Sequence, residues 1–162
     1  MASEAAAAFL ADQRRKFGEI RRRILGTLSQ LSDDQIYWRP GETSNSVVNL
    51  ALHVCGNLTQ RYVAHLGGAP DVRDRAAEFS PSVRKTGEDL QWMVDSTFDA
   101  VDEVLAGVTE ERLLETLQMR DRQETVLHLI THTSTHAAEH LGQMMYIAKM
   151  QLGAAWKAPT TK

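Results

Sequence analysis

The sequence predicts an all-α protein built as a four-helix bundle. Apolar residues recur with a period of about 3.6 over long segments, and alternating β-branched runs are scarce. Four such segments share a chain of 162 residues, close to the usual length of one domain, so a single bundle domain is expected over residues 1–162. Caps and glycines punctuate the segments where helices would begin and end.

The first helix is expected to start after Ser3, an N-cap with Glu4 in the first turn, and to run to about Gln30. Phe9, Leu10, Phe17, Ile20, Ile24, Leu25 and Leu28 form its apolar stripe. Residues 31–42, LSDDQIYWRPGE, read as a loop marked by Pro40-Gly41. A second helix should begin within residues 43–46 and bury Val47, Leu50, Ala51, Val54, Leu58 and Tyr62. Gly67-Gly68 and Pro70 end it. The polar stretch DVRDRAAEFSPSVRKTG is a long connection, of the kind that in a small bundle is functional or a crossover.

Thr86 and Asp89 resemble a capping box for a third helix. That helix should bury Leu90, Met93, Val94, Phe98, Val101, Val104 and Leu105, and Gly107 stops it. Residues 108–123 read as a short helical turn followed by an extended arm. The fourth helix is the longest, from Glu124 or Thr125 to about Leu152. The tail AAWKAPTTK is expected to be loosely structured.

Composition narrows the function. Hydrophobic residues make up 43 % and charged residues 24 %, ordinary for a globular domain. A chain this long can build a core without disulfides or metal. The net charge is −3, which argues against a strongly basic nucleic-acid-binding domain. Arg14, Arg15, Lys16, Arg21, Arg22 and Arg23 form the one basic cluster, read as mainly a solvated face. Cys55 is the only cysteine, which points to a reducing compartment. The N-terminal stretch lacks the pattern of a secretory signal, and no stretch is apolar enough to span a membrane. A cytoplasmic protein without nucleic-acid or membrane partners is expected.

Four of the six histidines, His128, His132, His136 and His140, follow one another at intervals of four in the last helix. Residues at i and i+4 share a helix face, and two imidazoles so placed can converge on one metal ion. Each step of four rotates the row by about 40°, so all four cannot serve one site. On a helical wheel His140 falls inside the apolar arc and His136 at its border, while His128 and His132 point to the rim or solvent. A lone inward histidine is usually a hydrogen-bonded core residue, but two placed one turn apart are harder to explain by packing. In the second helix His53 lies beside Asn49, Asn57 and Gln60, away from the apolar arc. The plainer reading is a solvated stripe, and the functional one is the polar lining of a cleft. Cys55 points to the opposite side and reads as a small buried apolar residue. His65 reads as structural or surface.

NLALHVCGNL in the second helix, paired with HAAEHLGQ in the fourth, resembles the DinB/YfiT-like superfamily of metalloenzymes. The preceding YWRP and the following LGQMMYIAKM fit the same pattern, which covers residues 28 to about 152. The resemblance implies a DinB-like four-helix bundle, often a homodimer. It also implies a divalent metal ion held by His53, His136 and His140, and it turns the Asn49, Asn57 and Gln60 stripe into a cleft lining. His132 then supports the ligands or substitutes for one, and Gln143 lies within a turn of His140. Zinc or nickel is the first expectation at imidazole ligands, with iron or manganese also compatible. Known activities in the superfamily include transfer of low-molecular-weight thiols to electrophiles and a thiol-dependent isomerisation. The expected function is therefore a metal-dependent thiol S-transferase or hydrolase acting on a small molecule. The thiol would come from outside the chain, because Cys55 points away. The alternative is a non-catalytic metal- or small-ligand-binding stress-response bundle.

Overall fold

In the computed structural model, which describes residues 3–119 and 122–160, the regular elements of the described chain are helices apart from one short hairpin. Helix α1 spans Glu4–Leu28, and the Ser3 hydroxyl accepts from the Ala6 amide at its start. The expected loop after it contains a helix, α2, over Asp33–Tyr37. Ser32 and Gln35 form a reciprocal capping box, and Ile36 is buried beneath it. Caps and one buried anchor thus sustain a helix too short to be stable alone.

Helix α3 covers Val47–Leu58 and opens on a capping box between Ser46 and Asn49. It passes directly into a π-helix over Thr59–Leu66, which the sequence pattern did not announce. The Gly67 amide donates to the Tyr62 carbonyl, five residues back, at 2.7 Å. Gly67 and Gly68 end the segment as expected, with Gly68 at φ +81°, where glycine is favoured. The polar connection that follows carries a four-residue helix, α4, over Arg75–Glu78, N-capped by Asp74.

Helix α5 spans Gly87–Ala106 behind the Thr86–Asp89 capping box. Residues 108–123 hold helix α6, Glu110–Leu114, and then strand β1, Thr116–Met119. Strand β2, Arg122–Thr125, pairs antiparallel with β1, Leu117 facing Glu124. The helical turn and extended arm read from the sequence are therefore a turn and a hairpin, whose positions 120 and 121 lie outside the described residues. Helix α7 runs Val126–Leu152 from a Thr125 cap.

The tail is more ordered than expected. The Gln30 side chain donates to the Lys157 carbonyl and accepts from the Lys157 amide, both at 2.9 Å. Pro159 lies so close to Gly26 that an added Cβ there would sit 3.0 Å from the proline ring. Trp156 packs against the core. Residues 161 and 162 of that tail lie outside the described residues.

Helices α1 and α3 each pack against both α5 and α7. The expected apolar faces meet there: Ile24, Leu50, Leu58, Leu90, Leu129, Ile130 and Met144 are fully buried. Tyr62 is buried too, and its hydroxyl is 2.8 Å from the Thr133 hydroxyl on α7. Phe17 meets Tyr62 and Phe98 edge to face.

The basic cluster of α1 is met by acids. Arg14 pairs with Asp102, Arg15 with Asp12 and Glu19, and Arg21 with Asp95 and Asp99. No helix among the described residues is long and apolar enough to cross a membrane.

Candidate metal centre

Helix α3 presents His53, and α7 presents His136 and His140 one turn apart. The three side chains meet. His136 Nε2 lies 3.3 Å from His53 Nε2 and 3.1 Å from His140 Nε2. One ligand atom from each of the three falls within 4.8 Å of the others, close enough to share one metal ion. Nitrogens about 2.0–2.1 Å from one zinc ion at tetrahedral angles stand roughly 3.3–3.4 Å apart, so the observed spacings suit that donor set.

The outer nitrogens decide what the inner ones offer. His53 Nδ1 is 2.8 Å from Glu78 Oε2. A carboxylate paired with a guanidinium accepts, so Nδ1 carries the proton and Nε2 turns its lone pair inward. Arg73 Nη2 also lies 3.2 Å from that nitrogen, but its proton has a better acceptor in Glu78 Oε2 at 3.0 Å. His140 Nδ1 is 3.0 Å from Gln143 Oε1, an oxygen that can only accept, and this fixes the second ring the same way. Two lone pairs therefore face the third ring. Burial holds the His53 imidazole below its ordinary pKa, despite the upward pull of Glu78. The same cause, aided by the neighbouring His140 and His53, lowers His136 to about 4. Both rings are neutral near pH 7, the form that binds metal.

The polar stripe beside His53 is covered. His53 is 8 % exposed, because the connection between the π-helix and α5 folds over it. Phe79 lies 5.3 Å from the His53 ring. Asn49 is buried and donates to the Glu78 carbonyl at 3.0 Å, tying α4 to α3. Gln60 accepts from Arg73 at 3.0 Å and donates to Asp71 at 2.7 Å. Asn49 and Gln60 thus hold the groups that hold His53. Asn57 is half-buried, and none of the described contacts ties it to the cluster. His132 is exposed and stacks on His136, ring centres 6.3 Å apart, with His128 stacked beyond it at 5.9 Å.

Glu78 and Arg73 are the residues that sequence reasoning missed. Glu78 is 7 % exposed and receives Arg73 Nε at 2.6 Å. An added Cβ on Gly56, three residues after His53, would overlap Glu78 Oε1, so glycine there makes room for the carboxylate. The usable signal was a demand, not a motif: a buried ligand histidine needs an acceptor for its outer nitrogen, and the long connection was where to look. Cys55 is buried, and its thiol is pushed up to about 12 by burial.

The family described as "Protein of unknown function (DUF1572)" matches residues 4–161. No curated protein matches the sequence. A DinB-like protein from Bacillus subtilis (YjoA) superposes with a TM-score of 0.72 at 18 % identity, covering 93 % of this chain and 98 % of that one. A DinB-like protein from Bacillus cereus superposes with a TM-score of 0.70 at 15 % identity, covering 94 % of each chain. Likeness at such identities speaks for the fold alone. By fold the chain is DinB-like, and by sequence it belongs to the family of proteins of unknown function DUF1572.

Proposed function

We propose that this protein is a metal-dependent enzyme, with one divalent cation held by His53, His136 and His140. One observation carries the reading: three Nε2 atoms converge while Glu78 and Gln143 occupy the outer nitrogens of two of the rings. Hydrogen bonding among the three rings cannot satisfy this arrangement, since two facing lone pairs would share a single proton. A shared cation satisfies all three.

Three imidazole ligands leave a position open, as in catalytic sites. A cation bound there supplies Lewis acidity and lowers the pKa of a coordinated water or thiol. The chain's own part is orientation. Glu78 and Arg73 lock His53, Gln143 locks His140, and Phe79 shields the His53 side from water. Cys55 is no nucleophile at physiological pH, so a sulfur nucleophile must be an external low-molecular-weight thiol. The reaction class is transfer of such a thiol to a small electrophile, or hydrolysis. Zinc or nickel suits three neutral imidazoles.

The test is elemental analysis by mass spectrometry on tag-free protein, wild type beside His53→Ala and His136→Ala/His140→Ala. About one divalent ion per chain in the wild type, lost in both variants, is expected. No ion in the wild type after incubation with zinc or nickel overturns the reading.

A further inference from the structure

Two histidines of the row on α7 remain outside the central cluster. His128 and His132 stand four residues apart and are both exposed, the His128 side chain at 63 %. Their ring centres lie 5.9 Å apart, with 11° between the planes. Residues at i and i+4 share a helix face, the spacing by which two histidines of one helix grip a single zinc ion. In the stacked form their in-plane lone pairs run side by side. The Cβ–Cγ torsion of histidine is broad, so exposed rings can turn and aim one nitrogen each at a common ion, with water at its other positions.

No hydrogen bond among the described residues engages either imidazole, in contrast to His53 and His140. Glu124 Oε2 lies 3.8 Å from His128 Nε2, beyond hydrogen-bond reach, and Glu124 is buried and paired with Arg61. The donor set is therefore the two imidazoles. His132 stacks in turn on His136, ring centres 6.3 Å apart, so the row of rings runs from the exposed His128 to the central cluster. One helical turn, about 5.4 Å, exceeds the 3.5–4 Å of a two-metal centre, so an ion at this pair occupies a site of its own.

We propose that His128 and His132 form a second divalent-cation site, weaker than the central one, from which an ion is handed along α7 to His136 and His140. The cation site stands independently. The hand-over rests on the central site proposed above.

Zinc chloride is titrated by calorimetry into metal-free, full-length protein, because a weakly held ion washes out before elemental analysis. Wild type is expected to take two ions, and His128→Ala/His132→Ala, at exposed positions, only the tighter one. His136→Ala/His140→Ala should keep the weaker ion, with the imidazole signals of His128 and His132 shifting as it binds. Replacing all four should leave none. Zinc uptake from a chelating dye tests the hand-over. His128→Ala keeps the His132–His136 stack, yet should slow uptake at least about tenfold, since the ion loses its effective concentration beside the centre.

No zinc on His136→Ala/His140→Ala, or zinc that persists when all four histidines are replaced, overturns the second site. A single wild-type ion that survives His136→Ala/His140→Ala but not His128→Ala/His132→Ala overturns the central site, and the hand-over with it. Uptake by His128→Ala at the wild-type rate overturns the hand-over.

Discussion

Glu78 accepts from the His53 ring and from the Arg73 guanidinium, so its replacement separates orientation from coordination. Glu78→Gln keeps the volume and loses the charge. Zinc affinity is expected to fall about 10–100-fold, the usual cost of losing such a partner, with the helical circular dichroism unchanged. Gly56→Ala should move affinity the same way, because its methyl displaces the carboxylate. Competition against a chelating dye measures both, and wild-type affinity in both variants would refute the role given to Glu78. His136 sets a pH dependence of the metal-free protein. Its folded-state pKa, about 4, lies below the ordinary 6.5, so between these values the unfolded chain binds the extra proton. The contribution of this ring is intact above about 6.5 and is lost as pH falls toward 4. Thermal melts of chelator-treated protein at pH 7, 5.5 and 4 should show the decline, and it should shrink in His136→Ala.

The elements differ in how far the sequence exposes them. The long helices were legible because each buries a periodic stripe: Val47, Leu50, Ala51, Val54, Leu58 and Tyr62 are all buried, as the wheel requires. The inward set of His136 and His140 came from the same geometry. What escaped was non-local. The His53 stripe looks solvated on a wheel, because the residues that cover it, Glu78 and Phe79, lie more than twenty positions away in a segment without periodicity. The α2 helix escaped because a capping box and one buried isoleucine leave no stripe to read. The π-helix escaped because its period differs from an α-helix by only one residue in the hydrogen-bond ring. Tyr62 pins that π-helix to α7 through Thr133. Thr133 keeps a second bond, to the Leu129 carbonyl, so Tyr62→Phe strands no buried group. The expected loss is about 0.5–1.5 kcal/mol by urea unfolding, the net worth of one hydrogen bond. A loss beyond about 3 kcal/mol would mean that the hydroxyl holds more than this contact.

At the scale of the whole molecule, the core and the histidine cluster share α3 and α7, with His136 at the border of the apolar arc of α7. Ile130 is fully buried on α7, between the positions of His128 and His132. Ile130→Ala should cost about 2–5 kcal/mol in urea unfolding. Zinc stoichiometry at 25 °C should stay at the wild-type level, because Ile130 lies about 80° and 120° around the helix from His140 and His136. Loss of stoichiometry in a variant that remains folded would show that core packing sets the ring positions directly.

The three imidazoles ride on long bundle helices, whereas Glu78 rides on a four-residue helix in the crossover. That division separates two events in time. A helix of one turn has no stability of its own, and a surface crossover can open while the bundle stays closed. During such an opening the rings keep their places, but His53 loses the acceptor that fixes its tautomer. Backbone amides of residues 71–86 should then exchange with solvent far faster than those of α3 and α7. Their exchange rate becomes the clock for the departure of whatever the rings hold. For the proposed ion, the residence time would then follow the local unfolding of a loop, not the global stability of the bundle.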